Sequence, residues 1–425
     1  MNWVLRFPTD RICGRLYRGR LDATRRDWHI LSDAYGTVDI PTDLADEAQE
    51  LILRVNRQGT DDLSFLARFD PEALGMLDLG DTLIRDSQLD DVVTLSGLRG
   101  LRLSRSMVTD QGLAQLSPLR NLRRLSLAGV SNLSDAGLAH LATFVQLKHL
   151  DLALTRFDGT GLAHLQILPD LVSLNLMGMR RLIEMGWAEV GRLRALRFLD
   201  LSSSAGNADE RLGYLQRLDD LEELNLARNR LDGSGLVYLA HLSHLRTLHL
   251  SQCPLQPDHL VHLRNLPFLE ELSLVQVPPI DAEGIAHVAH APALRRLNLY
   301  EALDSSDGLA HLLHAPALRE LDLSGCVLDD AGLALLGQLT CLRALRLSGA
   351  AGVTDRGITH LASLTNLQEL RVGVADIGDV SVASIAQIRN LETLGLGARN
   401  MSAVGLAALV GHAPFKWNWS CATSR

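Results

Sequence analysis

Leucine occupies the first, fourth and sixth places of a short segment, and that segment returns fourteen times along the chain. Its first leucine falls at Leu74, Leu98, Leu122, Leu147, Leu171, Leu196, Leu221, Leu245, Leu269, Leu294, Leu318, Leu342, Leu367 and Leu391. The steps are 24 or 25 residues, and of 42 signature positions only Val372 is not leucine. A two-layer core imposes no such constant period, whereas a stack of units that each pack on their neighbours does. In a typical unit, LRRLSL (122–127) predicts a short strand with Leu122, Leu125 and Leu127 inward. SDAGLAHLATF (134–144) then predicts a helix, capped by Ser134 or Asp135, with Leu138 and Leu141 facing the core. Thr109-Asp110 and Thr354-Asp355 repeat the capping pair, and glycine follows the aspartate at Gly112, Gly137, Gly332 and Gly357. That glycine predicts a close approach between neighbouring helices. Short strands backed by bulkier helices predict an α/β solenoid that curves, with the parallel sheet concave and the helices convex.

The ends depart from the pattern. GRLYRG (14–19), GTVDIP (36–41) and ELILRV (50–55) alternate as strands do, so residues 1–60 are expected to form a small β-rich domain capping the solenoid. Asp61 or Asp62 is placed to cap a short helix through Leu63, Phe65 and Leu66. Repeats are expected over residues 61–414. Residues 415–425 read as a truncated strand and tail, with Phe415, Trp417 and Trp419 sealing the end.

Composition narrows the class. Of 425 residues, 47% are apolar but only 4% are aromatic, which suits an aliphatic ladder. The net charge of −9 argues against nucleic acid as the main partner and leaves room for a local basic patch. The five cysteines lie far apart without a CxxC spacing, so neither a disulfide framework nor a zinc ribbon is expected. The opening MNWVLRFPTDR lacks an apolar signal region and no apolar run reaches membrane-span length. The expected compartment is the cytoplasm, with secretion as an effector lacking a cleaved signal as the alternative.

These residues resemble the leucine-rich repeat superfamily over about residues 62–425. The usual asparagine at the ninth place is largely missing, which predicts a weakened or absent buried amide ladder. The units instead carry L-[ST]-D-x-G-L-x-x-L, similar to bacterial repeats whose helix starts with Gly-Leu or Gly-Ala. Related repeats occur in F-box-containing effectors and substrate adaptors. No leucine- and proline-led three-helix F-box is recognisable in residues 1–60, so the ubiquitin-ligase inference is not carried over. The resemblance implies a non-enzymatic protein-binding scaffold and supplies no catalytic residue or cofactor.

On such a sheet the second, fourth and sixth positions after the leading leucine face outward. Read down the stack, they nominate a partner-binding face of His149, Asp151, Asn175, Met177, Phe198, Asp200, Glu223, Asn225, His249, Glu271, Asn298, Tyr300 and Asp322. Its acidic and amide-rich middle suits a basic or amide-rich protein segment, with Phe198 and Tyr300 as anchors. A solvated polar face reads equally well. The units also lose their regular turns at 177–187, 202–210, 253–258 and 275–281, where binding loops are expected.

Other chemistry is weaker. The pairs His287/His290 and His311/His314 have i, i+3 spacing but no cysteine or consistent carboxylate beside them, so no metal is expected. Ser251, His249 and Asp200 can be assembled as a triad, as in any polar ladder, but no nucleophile elbow accompanies them. The stretch 11–26 carries six arginines, Arg11, Arg15, Arg18, Arg20, Arg25 and Arg26, and reads as a solvated β face or as a contact for an acidic protein, a membrane surface or nucleic acid. The main expectation is an interaction scaffold, and the alternative is a host-directed effector or ligase adaptor.

Overall fold

The leucine segments are the strands of parallel sheet. The computed structural model describes residues 3–20, 28–40, 50–204, 208–373, 377–397, 402–403 and 416–417. Arg25, Arg26, Phe415 and Trp419 lie outside them. The chain divides into two units, Met1–Ala205 and Gly206–Arg425.

In the first unit, β1 is Trp3–Arg6, β2 Gly14–Gly19, β3 His29–Asp33, β4 Thr37–Ile40 and β5 Glu50–Val55. β1 pairs antiparallel with β4, and β2 pairs antiparallel with both β3 and β5. β5 then lies parallel to β6 (Met76–Asp78), placing Leu53 beside Leu77. The sheet continues in parallel register through β7 (Gly100–Arg102), β8 (Arg124–Ser126), β9 (His149–Asp151), β10 (Ser173–Asn175) and β11 (Phe198–Asp200). β5 thus covers the edge that the first leucine strand would otherwise expose. Phe7, Phe65 and Phe69 cluster with ring centroids 5.1–5.9 Å apart and fasten the N-terminal strands to the short helix Ser64–Arg68. Asp62 starts that helix by accepting from the Ser64 N–H at 2.9 Å.

The second unit repeats the scheme. Its parallel strands are β12 (Glu223–Asn225), β13 (Thr247–His249), β14 (Glu271–Ser273), β15 (Arg296–Asn298), β16 (Glu320–Asp322), β17 (Ala344–Arg346), β18 (Glu369–Val372), β19 (Thr393–Leu396) and β20 (Lys416–Trp417). Lys416 sits opposite Thr393 and Trp417 opposite Leu394. Every signature leucine, and Val372, is at most 9% exposed. Burying one leucine side chain is worth about 1.5–3 kcal/mol, and the period repeats that gain in each unit.

The segments opposite the strands are α-helices in some units and 3-10 helices in others. Residues Ala136–Thr143 form a 3-10 helix, as do Thr160–Ile167, Glu210–Arg217, Ser234–His241, Pro257–Asn265 and Leu309–His314. An apolar spacing of three fits such a turn: Leu138, Leu141 and Phe144 align on one face, all fully buried. Four of the α-helices start at Thr109, Asp281, Asp329 or Thr354, whose side chains accept from their own helix N–H groups.

The motif aspartate mainly serves the next repeat. Asp86 accepts from the N–H and hydroxyl of Thr109 at 2.9 and 2.5 Å, and Asp110 does the same for Ser134 at 2.8 and 2.5 Å. Asp330 holds Thr354, and Asp379 holds Ser402, in the same way. Asp135 accepts the N–H groups of Asp158, Gly159 and Gly161, each at 3.0 Å. Ser134, not Asp135, caps its own turn, accepting from the Gly137 N–H at 3.3 Å. The motif glycine makes room for this clamp. A Cβ on Gly137 would stand 2.0 Å from Asp110 Oδ1, and one on Gly112 would stand 2.1 Å from Asp86 Oδ1.

Two further columns complete the unit. The seventh residue after the leading leucine is left-handed in all twelve units where it is described, with φ between 53° and 75°. Four of these are glycines, while Asp81, Arg105, Leu154, Ser203, Arg228, Gln252, Gln276 and Glu301 adopt the same conformation at a cost. At the ninth place, hydroxyls and thiols do much of the missing asparagine's work. Thr155 donates to the Leu152 carbonyl at 2.6 Å and Ser204 to Leu176 at 2.9 Å. The remaining Asn229 donates to Leu226 at 2.9 Å, and the thiols of Cys253 and Cys326 reach Leu226 and Leu299 at 3.3 and 3.1 Å. Burial pushes the Cys253 thiol up to about 11 and raises that of Cys326.

Candidate partner-binding face

All thirteen nominated residues are half-buried, as the alternation requires: the leucines between them point into the core. The first unit holds His149, Asp151, Asn175, Met177, Phe198 and Asp200. Parallel register aligns His149, Ser173 and Phe198 in one row and Asp151, Asn175 and Asp200 in the next. The second unit holds Glu223, Asn225, His249, Glu271, Asn298, Tyr300 and Asp322. There Asn225, His249, Ser273, Asn298 and Asp322 form one row, while Glu223 and Glu271 flank Thr247 in another.

The Asp/Asn row has a structural task that its exposure-based reading missed. Asp151 accepts the Ala153 N–H at 3.1 Å, Asn175 that of Met177 at 3.0 Å, and Asp200 that of Ser202 at 2.8 Å. Asn225, Asn298 and Asp322 likewise accept from Ala227, Tyr300 and Ser324 at 2.9–3.1 Å. Each side chain closes the turn that ends its own strand, an Asx-type bond that a short polar side chain makes two residues on. Asp78 does the same for Gly80 and is fully buried, with Arg54 and Arg102 nitrogens 3.8 and 3.9 Å from its carboxylate.

The charged members of the second unit pair internally. Arg296 donates to Glu271 through Nε at 2.7 Å, a bond that raises the guanidinium pKa. Arg346 grips Glu369 with both ends of its fork, at 3.1 and 3.0 Å, and Arg371 shares the same carboxylate at 2.8 Å. His249 Nε2 lies 3.8 Å from Glu223. Ser251 bonds the Ser273 hydroxyl at 2.9 Å and makes no hydrogen bond to His249, so the assembled triad does not form.

Reading the left-handed column down the stack reveals a polar ladder that sequence inspection missed. Arg228 Nε donates to Gln252 at 2.8 Å, Gln252 donates to Gln276, and Gln276 donates to Glu301 at 2.7 Å. The Gln276 amide and the Tyr300 hydroxyl hold the Glu301 carboxyl below its usual range, and Glu301 in turn raises the Tyr300 phenol. The four residues lie 24 or 25 apart, so only the repeat register brings them together.

Among the described residues, no three His, Cys, Asp or Glu side chains gather as a metal set, and no helix is long and apolar enough to cross a membrane. His287 Nε2 lies 3.8 Å from Glu283, and His290 Nδ1 lies 2.5 Å from the Ala286 carbonyl.

Parallel three-residue strands, leucines buried at a fixed period and short helices opposite define a leucine-rich-repeat protein of the α/β class. The chain belongs to this family: the model of the leucine-rich repeat region matches residues 99–360. It is similar to a crystal structure of an internalin from Listeria monocytogenes, with 19% identity over 86% of this chain and 95% of that one and a TM-score of 0.53. It is also similar to a leucine-rich-repeat protein of Leptospira interrogans, with 22% identity over 82% of this chain and 90% of that one and a TM-score of 0.50. The mouse RP105/MD-1 complex gives 20% identity over 83% of this chain and 69% of the matched chain, with a TM-score of 0.55. These likenesses are of fold. A comparison with curated proteins returned no match.

Proposed function

We propose that the chain is a non-enzymatic scaffold that binds a protein partner through the sheet face of its repeats and the irregular loops at 177–187, 202–210, 253–258 and 275–281. Phe198 supports this most. It is a large aromatic side chain, half-buried between polar neighbours on a row with His149 and Ser173. Interface hot spots favour such an aromatic ringed by polar groups. Met177 and Phe198 in the first unit, and Tyr300 in the second, are not spent on closing turns with their side chains. The five strands and single short helix described between residues 3 and 60 favour this reading over a ligase adaptor, which a helical F-box would have supported.

The test is affinity capture from the native lysate with the intact protein and with Phe198→Ala. Phe198 is replaced alone because Asp200 holds the Ser202 turn. A protein retained by the intact chain and lost from a variant of unchanged melting temperature supports the sheet-face reading. Identical recoveries sink it.

A further inference from the structure

In the second unit the left-handed column carries Arg228, Gln252, Gln276 and Glu301 in four successive repeats, and Gly325 and Gly349 in the next two. The first four hold φ of 53–61°, a backbone state that glycine adopts freely and other residues do not. Their backbone N–H groups are fixed to the next repeat. Arg228 donates to the Ser251 carbonyl, Gln252 to Val275 and Gln276 to Tyr300, each at 2.8 Å, and Glu301 donates to Ser324 at 2.9 Å. Neighbouring members therefore stand one strand spacing apart, about 4.8 Å, and their side chains join from Arg228 to Glu301. Glu301 lies over Gly325, where a Cβ would stand 2.6 Å from its Cγ. All four side chains are exposed.

The ladder uses part of its hydrogen-bonding capacity. Gln252 and Gln276 each commit one amide hydrogen within it and keep the other. Arg228 commits its Nε, and among the described residues it makes no ion pair. Both margins are largely apolar. On one side Ala227, Ser251, Val275 and Tyr300 form a half-buried column. On the other, Pro254 and Pro278 are exposed at the same place in successive repeats, and Arg230 holds that place in the repeat of Arg228. The result is a row of ordered donors between apolar edges, with cations at one end and the Glu301 carboxylate at the other. Because the internal bonds already order these side chains, a partner loses less entropy in meeting them.

We propose that this strip docks a proline-rich segment of a protein partner in the polyproline conformation, with an acidic residue at the Arg228 end and a basic one at the Glu301 end. Such a segment makes no internal hydrogen bonds, so its carbonyls take the spare amide hydrogens, and its rings suit the Tyr300 and proline margins. The periods agree as well. A polyproline helix turns once in three residues, about 9.3 Å, close to the roughly 9.6 Å between alternate repeats. A β-strand repeats every two residues, about 6.8 Å, which falls between one repeat spacing and two. Arg228 and Glu301 are three spacings apart, about 14 Å, or about five polyproline residues. The proposal rests on the protein-binding reading but not on Phe198 being the anchor.

The test is fluorescence polarisation of the full chain with fluorescein-labelled peptides of four prolines between one glutamate and one lysine, made in both orders and read at low salt. One order is expected to bind more tightly than the other. Gln252→Ala with Gln276→Ala is expected to weaken it about tenfold at an unchanged melting temperature. Asp81→Ala with Arg105→Ala, in the same column of the first unit, is expected to leave binding unchanged, as is Phe198→Ala. Arg228→Glu gives a second reading: it should weaken this peptide and favour one with lysine at both ends. Failure of the intact chain to bind either peptide overturns the proposal, whatever Phe198→Ala does to capture of a lysate protein. So does equal binding of a peptide with serines in place of the prolines, or equal weakening by the two double variants. Self-association of the intact chain that is lost in the double glutamine variant makes a second copy the occupant and overturns it too.

Discussion

Asp110 and Ser134 are joined twice across a repeat boundary: one carboxylate oxygen takes the Ser134 N–H at 2.8 Å and the other takes its hydroxyl at 2.5 Å. Gly137, three residues on, leaves the space that the carboxylate fills. Asp110→Ala removes a charge-assisted pair of bonds and should cost about 1.5–3 kcal/mol in chemical denaturation. Gly137→Ala should destabilise the native chain, because its Cβ meets the clamp, yet cost less in an Asp110→Ala background, where alanine's helix preference is released. Additive effects would show that the two residues do not share this space.

Leu248 is fully buried between Leu224 and Leu272 in strand register. Leu248→Ala should destabilise by about 2–5 kcal/mol, since rigid neighbours on both sides limit collapse around the cavity. A melting temperature within error of the native value would contradict its place in the ladder.

Leu154 holds a left-handed φ of 58° while 50% of its surface is exposed. Leu154→Gly relieves a conformation that costs a branched residue about 1–2 kcal/mol, and sacrifices little buried surface. The expected result is a net gain of several tenths of a kcal/mol, read as a higher midpoint in urea. The reverse change at the equivalent site, Gly178→Ala, should lower it, because its Cβ would lie 2.5 Å from Leu154 Cδ2.

Burial raises the Cys253 thiol from an ordinary value of 9.0 to about 11. In the unfolded chain the thiol ionises from about pH 9, while the folded chain keeps its proton. The resulting stabilisation is intact below pH 9 and declines as pH rises through about 11, by about 2–3 kcal/mol. Cys253→Ser retains a donor for the Leu226 carbonyl without that titration. Its stability should therefore fall less between pH 9 and 11 than the native protein's, and parallel curves would contradict the assignment.

The ladder was legible in the sequence because every unit solves the same packing problem with the same leucines. The strand at Thr37–Ile40 was legible because Val38 and Ile40 alternate with polar residues. Asp110 was not, since a Ser-Asp or Thr-Asp pair before an apolar run reads as a cap for its own helix. The partner of its carboxylate lies 24 residues ahead. Phe198 lies on the outward row as strand alternation requires, and the task of Asp200 on the same strand, closing a turn with Ser202, is local geometry that the pattern does not display. Helix type was not legible because a spacing of three suits both α and 3-10 turns.

Every aspartate clamp points the same way: Asp86 serves Thr109, Asp110 serves Ser134, Asp330 serves Thr354, and Asp379 serves Ser402. The repeats are therefore not interchangeable from their two ends. Trimming units from the C-terminal side leaves each surviving turn with its donor of negative charge. Trimming from the N-terminal side orphans the first survivor. Shortened or extended versions of this chain should accordingly tolerate change at one end and require a replacement carboxylate at the other, a directionality that the leucine pattern, the same in every repeat, does not display.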